Sequence, residues 1–397
     1  MIISTADRVK KIGEYYVPIK NREIASVSAK RVAEGLEPVI SLGIGAPDMM
    51  PPSQAIDTLC IESQCKDAHK YQNFRGIPEL REAISSWYKR WYGVSLDPLT
   101  QIQPLMGAKE GILVASMTFL NKGDKVLVPN PGYPTYISAS QLVEADTVPY
   151  DLLSENGFYP DFHALEAIDL EGVKMMWINY PNMPTGAPAS MELYERVVEF
   201  GKKHKILICS DNPYSFVRND KPLSIFNVPG AFDCCLELNS LSKAHNMSGW
   251  RLGMACASAE IITEIFKVKS QMDSGMFRPI QKAAVEALNQ DEEWYRQLNT
   301  GYYARQEIAE KIMDAIGAEI QSNSQGLFLW GKIREDNPRL DSTDTTKSLG
   351  ERISNKLLYE NGVYVTAGSM FGSNGDDYIR ICLCADIPTL NKVLSRL

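Results

Sequence analysis

Short apolar runs alternate with polar loops and helix-like segments through the middle of the chain. Each run has the length of a strand and ends in a polar, often proline-rich loop, and several following stretches place apolar residues at helical spacing. This alternation predicts a mainly parallel sheet with helices on both faces, and polar residues at the carboxyl ends of its strands then collect at one edge. The segments that show the pattern are 107–120, 123–136, 173–186, 191–204, 205–214 and 234–243.

The pattern changes after about residue 290. A long helical stretch at 292–317 precedes a strand at 326–333, a helix at 347–361 and strands at 362–368 and 378–383. A smaller α+β domain is therefore predicted. We expect an N-terminal arm with part of the small domain in residues 1–45, a large domain in 46–290 and the C-terminal small domain in 291–397.

Composition excludes several classes of protein. The 397 residues carry a net charge of -8, which argues against a nucleic-acid surface. Apolar stretches are too short to span a bilayer, and residues 1–11 are too polar for a signal peptide, so we expect a cytoplasmic protein without membrane contact. The eight cysteines form no C-x-x-C pair and the four histidines no metal-spaced pair, which predicts buried, reduced thiols and no metal.

Lys243 is the leading candidate for a catalytic group. It lies among serines and small residues directly after an apolar run, where burial would lower its pKa and leave a neutral amine able to form an imine. Asp211 ends another apolar run, ILICSD. An aspartate there is an ordinary helix cap, but its carboxylate also suits a protonated pyridinium nitrogen. Tyr214 follows closely enough to hydrogen-bond the phenolic oxygen of the same ring.

A second group of residues suits a phosphate. Residues 107–109 (Gly-Ala-Lys) open a predicted helix, whose first amides and dipole attract an anion. Ser240 and Arg251 lie on either side of Lys243 in sequence and offer a hydroxyl and a guanidinium. Each feature alone also fits a helix cap, a buried serine or a surface arginine. Their order along the chain favours a site for pyridoxal 5′-phosphate.

The chain contains five blocks that recur in order in one known family: YQNFRGIPELREAI, GAKEGI, GDKVLVPNPGYPTY, DNPYSF and SLSKAHNMSGWRLGM. Over nearly its whole length it resembles the class I/II aminotransferases of the aspartate aminotransferase type I fold, and most closely the bacterial LL-diaminopimelate-like branch. The resemblance implies a large α/β domain with a mainly parallel seven-stranded sheet, a smaller α+β domain and a homodimer with shared active sites. It also implies ping-pong amino transfer between an L-amino acid and a 2-oxo acid.

The resemblance gives each matching residue a role. Lys243 would form the internal aldimine and move the proton between the substrate Cα and the cofactor C4′. Asp211 would pair with the pyridine nitrogen, Tyr214 would contact the phenolic oxygen, and Tyr133 would stack on the ring. The remaining contacts are implied for Gly107, Ala108, Lys109, Ser240, Ser242 and Arg251 around the phosphate, Tyr71 at the phosphate of the neighbouring subunit, Gly45 beside the substrate, and Arg380 as the clamp on its α-carboxylate.

Two positions depart from the family pattern. Its usual N-P-T-G block is here NYPNMPTG, which puts Met183 where an asparagine donates to the phenolic oxygen, with Asn182 one residue earlier and facing elsewhere. Because a thioether donates no hydrogen bond, we expect Tyr214 alone to support that oxygen and the aldimine pKa to be altered; identical titrations of wild type and Met183→Asn would contradict this. Ala108 replaces a serine of close relatives, which removes one phosphate contact that Lys109 would offset.

The amino donor is left open at this point. A dicarboxylic substrate needs a second cation, for which Arg75 and Arg278 are candidates, although each also fits an ordinary surface arginine. Tyr15 and Tyr16 on the N-terminal arm would instead cover the site and favour apolar or aromatic donors. Loss of aspartate and glutamate turnover, but not methionine turnover, in arginine-to-alanine variants would support the dicarboxylate alternative.

Two rival functions remain on the same residues. A carbon–sulfur lyase or a decarboxylase would use the same lysine and aspartate, because the cofactor supplies the electronic chemistry. Release of pyruvate and ammonia from one amino acid without a 2-oxo acid would indicate a lyase. The other rival is a non-catalytic module that only binds pyridoxal phosphate.

Overall fold

In the computed structural model, residues 2–340 and 346–397 are described, and they contain a large sheet and two smaller ones. In chain order the strands are β1 (Ile40–Ser41), β2 (Ile102–Leu105), β3 (Lys125–Asn130), β4 (Asp146–Asp151), β5 (Val173–Ile178), β6 (Leu207–Asp211), β7 (Cys235–Ser240), β8 (Gly253–Ala257), β9 (Ala318–Ile320), β10 (Phe328–Ile333), β11 (Val363–Tyr364), β12 (Thr366–Ala367) and β13 (Tyr378–Cys382).

The helices fall between these strands, and α12 is the longest of those described. In chain order they are α1 (Asp7–Lys10), α2 (Tyr16–Ala33), α3 (Ser53–Glu62), α4 (Pro78–Tyr92), α5 (Ala108–Phe119), α6 (Thr135–Leu142), α7 (Phe162–Ala167), α8 (Met191–His204), α9 (Leu241–Ala244), α10 (Ala259–Met272), α11 (Arg278–Leu288), α12 (Glu292–Ile316), α13 (Leu349–Lys356) and α14 (Ile387–Arg396).

The large sheet has seven strands in the order β2-β8-β7-β6-β5-β3-β4. Strands β3 to β7 run parallel, whereas β8 pairs antiparallel with both β7 and β2. Every residue of β7 and nearly every residue of β5 is buried, because helices cover both faces. The predicted mainly parallel seven-stranded sheet is therefore confirmed, with β8 as its antiparallel strand.

The smaller sheets are built mostly from the C-terminal part of the chain. Strands β12, β13, β10 and β9 form an antiparallel sheet in that order, in which Trp330 faces Arg380. Strand β1, from near the N-terminus, pairs in parallel with β11. The strand predicted over 362–368 is split into β11 and β12, and the helix predicted over 347–361 ends in a π turn, Leu357–Asn361. The domain limits given above stay a prediction.

All eight cysteines are free thiols, but they are not all buried. Cys60 is exposed on α3, and Cys65 and Cys234 are half-buried, so the expectation of buried thiols is wrong for these three. The described ranges contain no cluster of three or more side chains suited to a metal ion. None of the helices in those ranges is both long and apolar enough to cross a bilayer.

Candidate active site

A cavity of about 340 Å³ lies where the carboxyl ends of the parallel strands meet the small domain and the N-terminal arm. The polar strand ends predicted from the sequence collect here because parallel strands present their carboxyl ends at one edge. Of the predicted site residues, the cavity is lined by Tyr15, Gly45, Ala108, Lys109, Tyr133, Met183, Asp211, Tyr214, Ser240, Ser242, Lys243, Arg251 and Arg380.

Lys243 lies on the short helix α9, one turn beyond the end of β7. The helix starts at Ser240, whose Oγ accepts a hydrogen bond from the Ser242 amide at 3.1 Å. Lys243 Nζ donates to the carbonyl of Gly45 at 2.6 Å, which joins the large domain to the loop after β1. Burial lowers the pKa of Lys243, and the nearby Arg380 and Arg251 lower it further, against an opposing effect of Cys384. The amine is thereby biased toward its neutral, nucleophilic form.

Asp211, the last residue of β6, has one carboxylate oxygen that accepts no hydrogen bond within the described residues. Its Oδ2 accepts a hydrogen bond from the Tyr136 hydroxyl at 2.8 Å, whereas its buried Oδ1 has no partner in the described part of the chain. Burial raises the pKa of this carboxyl to about 6, while Tyr136 and Lys243 oppose the shift. A buried carboxylate oxygen that accepts no hydrogen bond lowers the stability of the folded protein, because it has lost its contact with water without a replacement. A protonated pyridine nitrogen would remove that cost, so this site fits pyridoxal phosphate.

The turn that opens α5 is shaped for an anion. Gly107 has φ +86°, and a Cβ there would lie 2.3 Å from Arg251 Nη2, so this position requires glycine. Arg251 is itself held by a hydrogen bond from Nη1 to the Ser248 carbonyl at 2.8 Å. Ala108 and Lys109 begin the helix beside it. A guanidinium next to free helix amides is a suitable phosphate cradle.

Arg380 lies at the opposite wall of the cavity, on β13. Its Nη2 donates to the Gly43 carbonyl at 2.7 Å and its Nη1 to the Met183 sulfur at 3.2 Å. The guanidinium lies 4.0 Å from the ring centre of Phe328 and 4.6 Å from that of Phe371. Fixed in this way and removed from water, it offers a preorganised receptor for a carboxylate.

Met183 occupies the cavity wall with an apolar side chain, as its sequence position predicts. Its amide donates to the Asn179 Oδ1 at 2.7 Å, and Asn179 also donates to the backbone carbonyl of Asp211 at 2.6 Å. Asn182 is turned away: its Oδ1 accepts from the Thr185 hydroxyl at 2.7 Å, and it does not line the cavity. The predicted effect of Met183 on the cofactor's phenolic oxygen stays a prediction.

The N-terminal arm closes one side of the cavity. The ring of Tyr15 lies 4.0 Å from Lys109 Nζ in a cation–π contact, and Val17 lines the cavity next to it. Tyr16 points elsewhere, with its hydroxyl 3.2 Å from that of Tyr364. Of the two tyrosines expected to cover the site, only Tyr15 reaches it, because consecutive residues entering α2 point in different directions.

Besides Gly107 and Asn182, three predicted residues do not line the cavity of this single chain. Tyr71 is 88% exposed on the surface. Arg75 stacks over Phe266 at 4.2 Å. Arg278 pairs with Asp67 at 2.7 Å and with Glu62 at 3.2 Å. Two carboxylates therefore already neutralise Arg278.

Sequence reasoning missed Tyr136, Asn179, Phe328 and Phe371. Tyr136 ends the PGYPTY block, where nothing in the sequence indicates that its hydroxyl donates to Asp211. Asn179 precedes the tyrosine of NYPNMPTG and could have been found as a polar residue at a strand end. The two phenylalanines carry no such signal, since apolar residues in apolar runs are ordinary core.

Comparison with known proteins agrees with this geometry. The model of the family "Aminotransferase class I and II" matches residues 37–397. An LL-diaminopimelate aminotransferase of Dehalococcoides mccartyi is 37% identical over 377 residues, which cover 94% of each chain. Another, from Aquifex aeolicus, is 35% identical over 394 residues, covering 99% of this chain and 98% of the relative.

Solved structures show the same fold. The substrate-bound BacF structure from Bacillus subtilis matches with a TM-score of 0.89 and 33% identity, over 99% of this chain and 97% of that one. An aromatic aminotransferase from Pyrococcus horikoshii matches with a TM-score of 0.82 and 29% identity, over 93% and 96%. These findings support amino transfer. They do not favour the alternatives of a lyase, a decarboxylase or a non-catalytic module. The chain therefore belongs to the class I and II aminotransferase family and is an aminotransferase.

Proposed function

We propose that the cavity holds pyridoxal 5′-phosphate on Lys243 and transfers an amino group from an L-amino acid with an apolar or aromatic side chain to a 2-oxo acid. The observation that carries the cofactor assignment is the unpartnered, buried Oδ1 of Asp211 in the same cavity as the half-buried Lys243. A cationic ring nitrogen would satisfy the first group, and an aldehyde would react with the second.

The residues divide by the part of the cofactor they would hold. Asp211 would pair with the ring nitrogen, Tyr214 with the phenolic oxygen, and Tyr133 would contact the ring face. Arg251 would bind the phosphate with Ser240 and the first amides of α5. When bound, the cofactor supplies an electron sink for the pair released when the substrate Cα loses its proton.

The chain's own groups would carry out the remaining steps. Arg380 would bind the α-carboxylate, and its fixed orientation would place the substrate Cα near Lys243. Lys243, once released by the incoming amino group, would take the proton from Cα and return it at the cofactor C4′. The Gly45 carbonyl, which holds Lys243 Nζ at 2.6 Å, would then orient the free amine.

The substrate side chain would lie against the apolar wall formed by Tyr15, Val17, Ile44 and Met370. Within the described residues, the cations that line the cavity are Lys109, Lys243, Arg251 and Arg380, and all four already have a role above. None of these four described cations is then left for a second substrate carboxylate. An apolar side chain buried there gains about 25 cal/mol per Å² of covered surface.

Diaminopimelate is the second candidate donor, because the curated relatives at 35–37% identity carry that name. Its distal charged groups would need partners beyond the cavity of one chain. A homodimer would supply them if Tyr71, Arg75 or Arg278 crossed to the partner's site, and we propose that arrangement for the assembly. The dicarboxylate alternative rests on the same crossing.

A half-reaction screen tests the proposal. Enzyme loaded with pyridoxal phosphate is mixed with single amino acids, and the loss of its visible absorbance band is followed over time. We expect phenylalanine, tyrosine, leucine and methionine to react faster than aspartate and glutamate. Fast reaction with aspartate that Arg75→Ala or Arg278→Ala abolishes would establish the dicarboxylate alternative, and reaction confined to LL-diaminopimelate would establish the second candidate.

A further inference from the structure

A buried ion triad lies directly behind the proposed phosphate cradle. Lys269, on α10, has a side chain that is only 1% exposed. Its Nζ lies 3.0 Å from Glu110 Oε1 and forms a second ion pair with Asp273. Nothing in the sequence around Lys269 distinguishes it from a surface lysine, but the packing of α10 against α5 buries it. A lysine buried this deeply is rare unless it is paired.

Glu110 connects the triad to the cradle. It is the third residue of α5, and its Oε2 accepts a hydrogen bond from the Met106 amide at 2.6 Å. The Glu110 amide in turn donates to the Gly107 carbonyl at 3.1 Å. Glu110 thus binds this turn twice, at Met106 through its carboxylate and at Gly107 through its amide, and Lys269 holds the same carboxylate through its other oxygen. The amides at the start of α5 depend on the same turn for their direction.

Asp273 connects the triad to a second loop. Its Oδ1 accepts from the Gly275 amide at 3.0 Å. Gly275 has φ +89°, and a Cβ there would lie 2.5 Å from the Gln72 carbonyl. The 273–275 turn is therefore packed closely against the segment next to Tyr71, for which the family resemblance implies a contact with the phosphate of the neighbouring subunit. Lys269 therefore contacts both Glu110, which holds the turn before α5, and Asp273, which holds the turn at 273–275.

The charges explain why Lys269 matters for an anion. Glu110 places a negative charge in the first turn of the helix whose amides would receive a phosphate dianion. Unpaired, a buried carboxylate at that position repels the ligand and destabilises the turn. Lys269 neutralises it without competing for the phosphate, because its ammonium is occupied by the two carboxylates.

We propose that Lys269 is a positioning residue for the cofactor phosphate: through Glu110 it sets the direction and the charge of the cradle at the start of α5. The inference rests on the proposed function. Because the proposed role concerns the phosphate alone, the affinity for pyridoxal phosphate should depend on Lys269. The affinity for pyridoxal, which has the same ring and aldehyde but no phosphate, should not.

The test compares the dissociation constants of these two compounds for the cofactor-free protein, measured by absorbance. We expect Lys269→Met to weaken pyridoxal phosphate by about 10-fold or more, as for loss of one charge-assisted contact, and to change pyridoxal by less than about 2-fold. Lys269→Arg keeps the charge and should recover most of the affinity. Lys267→Met, on the exposed face of the same helix, is the matched control and should bind both compounds like wild type.

The double variant Glu110→Gln/Lys269→Met separates charge from folding. It leaves only Asp273 of the triad charged, whereas Lys269→Met leaves both carboxylates without the lysine, so it should fold even where Lys269→Met does not, and its affinity for pyridoxal phosphate should lie between those of Lys269→Met and wild type. Equal weakening of both compounds, or no weakening in either variant, would overturn the inference. Wild-type protein that binds pyridoxal phosphate no better than pyridoxal would overturn the phosphate cradle itself, whereas failure of amino transfer with normal binding would overturn only the proposed reaction.

Discussion

Two buried carboxylates on neighbouring strands of the large sheet differ in what remains of their hydrogen-bonding capacity. Asp211 ends β6 at the cavity, and its Oδ1 has no partner in the described ranges. Glu237, within β7, is equally inaccessible but accepts four hydrogen bonds. Residue type and burial are alike, so the difference that marks a binding site is the unpartnered oxygen.

Glu237 holds several elements of the large domain together. Its Oε1 accepts from the hydroxyls of Tyr88 and Ser224, each at 2.9 Å. Its Oε2 accepts from the Ile225 amide at 3.1 Å and the Asn212 side chain at 3.3 Å. Burial raises the pKa of this carboxyl to about 7, while the donors oppose the shift. It is a structural acid, whereas Asp211 is positioned for a ligand.

Removing the Asp211 charge should have the largest effect on the reaction. Asp211→Asn keeps the shape but cannot hold a protonated ring nitrogen, so the half-reaction rate should fall by about 10²–10³-fold, the range for loss of one preorganised electrostatic partner. Glu237→Gln, measured in the same stopped-flow assay, should fall by less than about 10-fold. Equal losses in the two variants would remove the distinction between the carboxylates.

The pH dependence of stability in cofactor-free protein should follow the two buried carboxyls whose pKa values are raised, Asp211 and Glu237. The folded pKa of Glu237, about 7, lies above its unfolded value near 4.5, so the folded state binds the proton more tightly. That stabilisation is present below about pH 4.5 and is lost as pH rises through 7, by about 3 kcal/mol. Urea unfolding of cofactor-free protein from pH 5 to pH 8 should show this loss in wild type and a flatter curve in Glu237→Gln. Parallel curves would contradict the assignment.

Tyr136 should have a smaller effect because it supports Asp211 without replacing it. Its hydroxyl donates to Asp211 Oδ2 at 2.8 Å and opposes the rise in that pKa. Tyr136→Phe should slow the half-reaction about 5- to 10-fold, which corresponds to the roughly 1 to 1.4 kcal/mol of a typical net hydrogen bond, and move the acid limb of its pH profile upward. An acid limb that does not move would mean that Tyr136 does not tune Asp211.

Ser224 should show the smallest effect, and only in stability. Ser224→Ala removes one of four donors to Glu237, which should cost about 1 kcal/mol in the free energy of unfolding. The half-reaction rate should match wild type within about 2-fold, because Ser224 does not line the cavity. A rate loss like that of Tyr136→Phe would place Glu237 in the functional network.

The sequence predicts the site residues that are marked by a local pattern, such as a polar residue at the end of an apolar run. Lys243 and Asp211 lie at the ends of apolar runs, and the cavity brings them together because parallel strands end at one edge. Lys269 and Glu237 could not be found in this way. Their burial depends on helix and strand packing between distant segments, and a charged residue in a mixed segment looks like surface until that packing is known.

Borohydride reduction of the protein loaded with pyridoxal phosphate, followed by peptide mass spectrometry, tests the central claim most directly. Reduction converts an imine into a stable secondary amine, so the lysine that held the cofactor keeps a pyridoxyl group. The account predicts the group on Lys243, and predicts that Lys243→Ala carries none. A pyridoxyl group on Lys109 or Lys269 instead, with Lys243 unmodified, would contradict it.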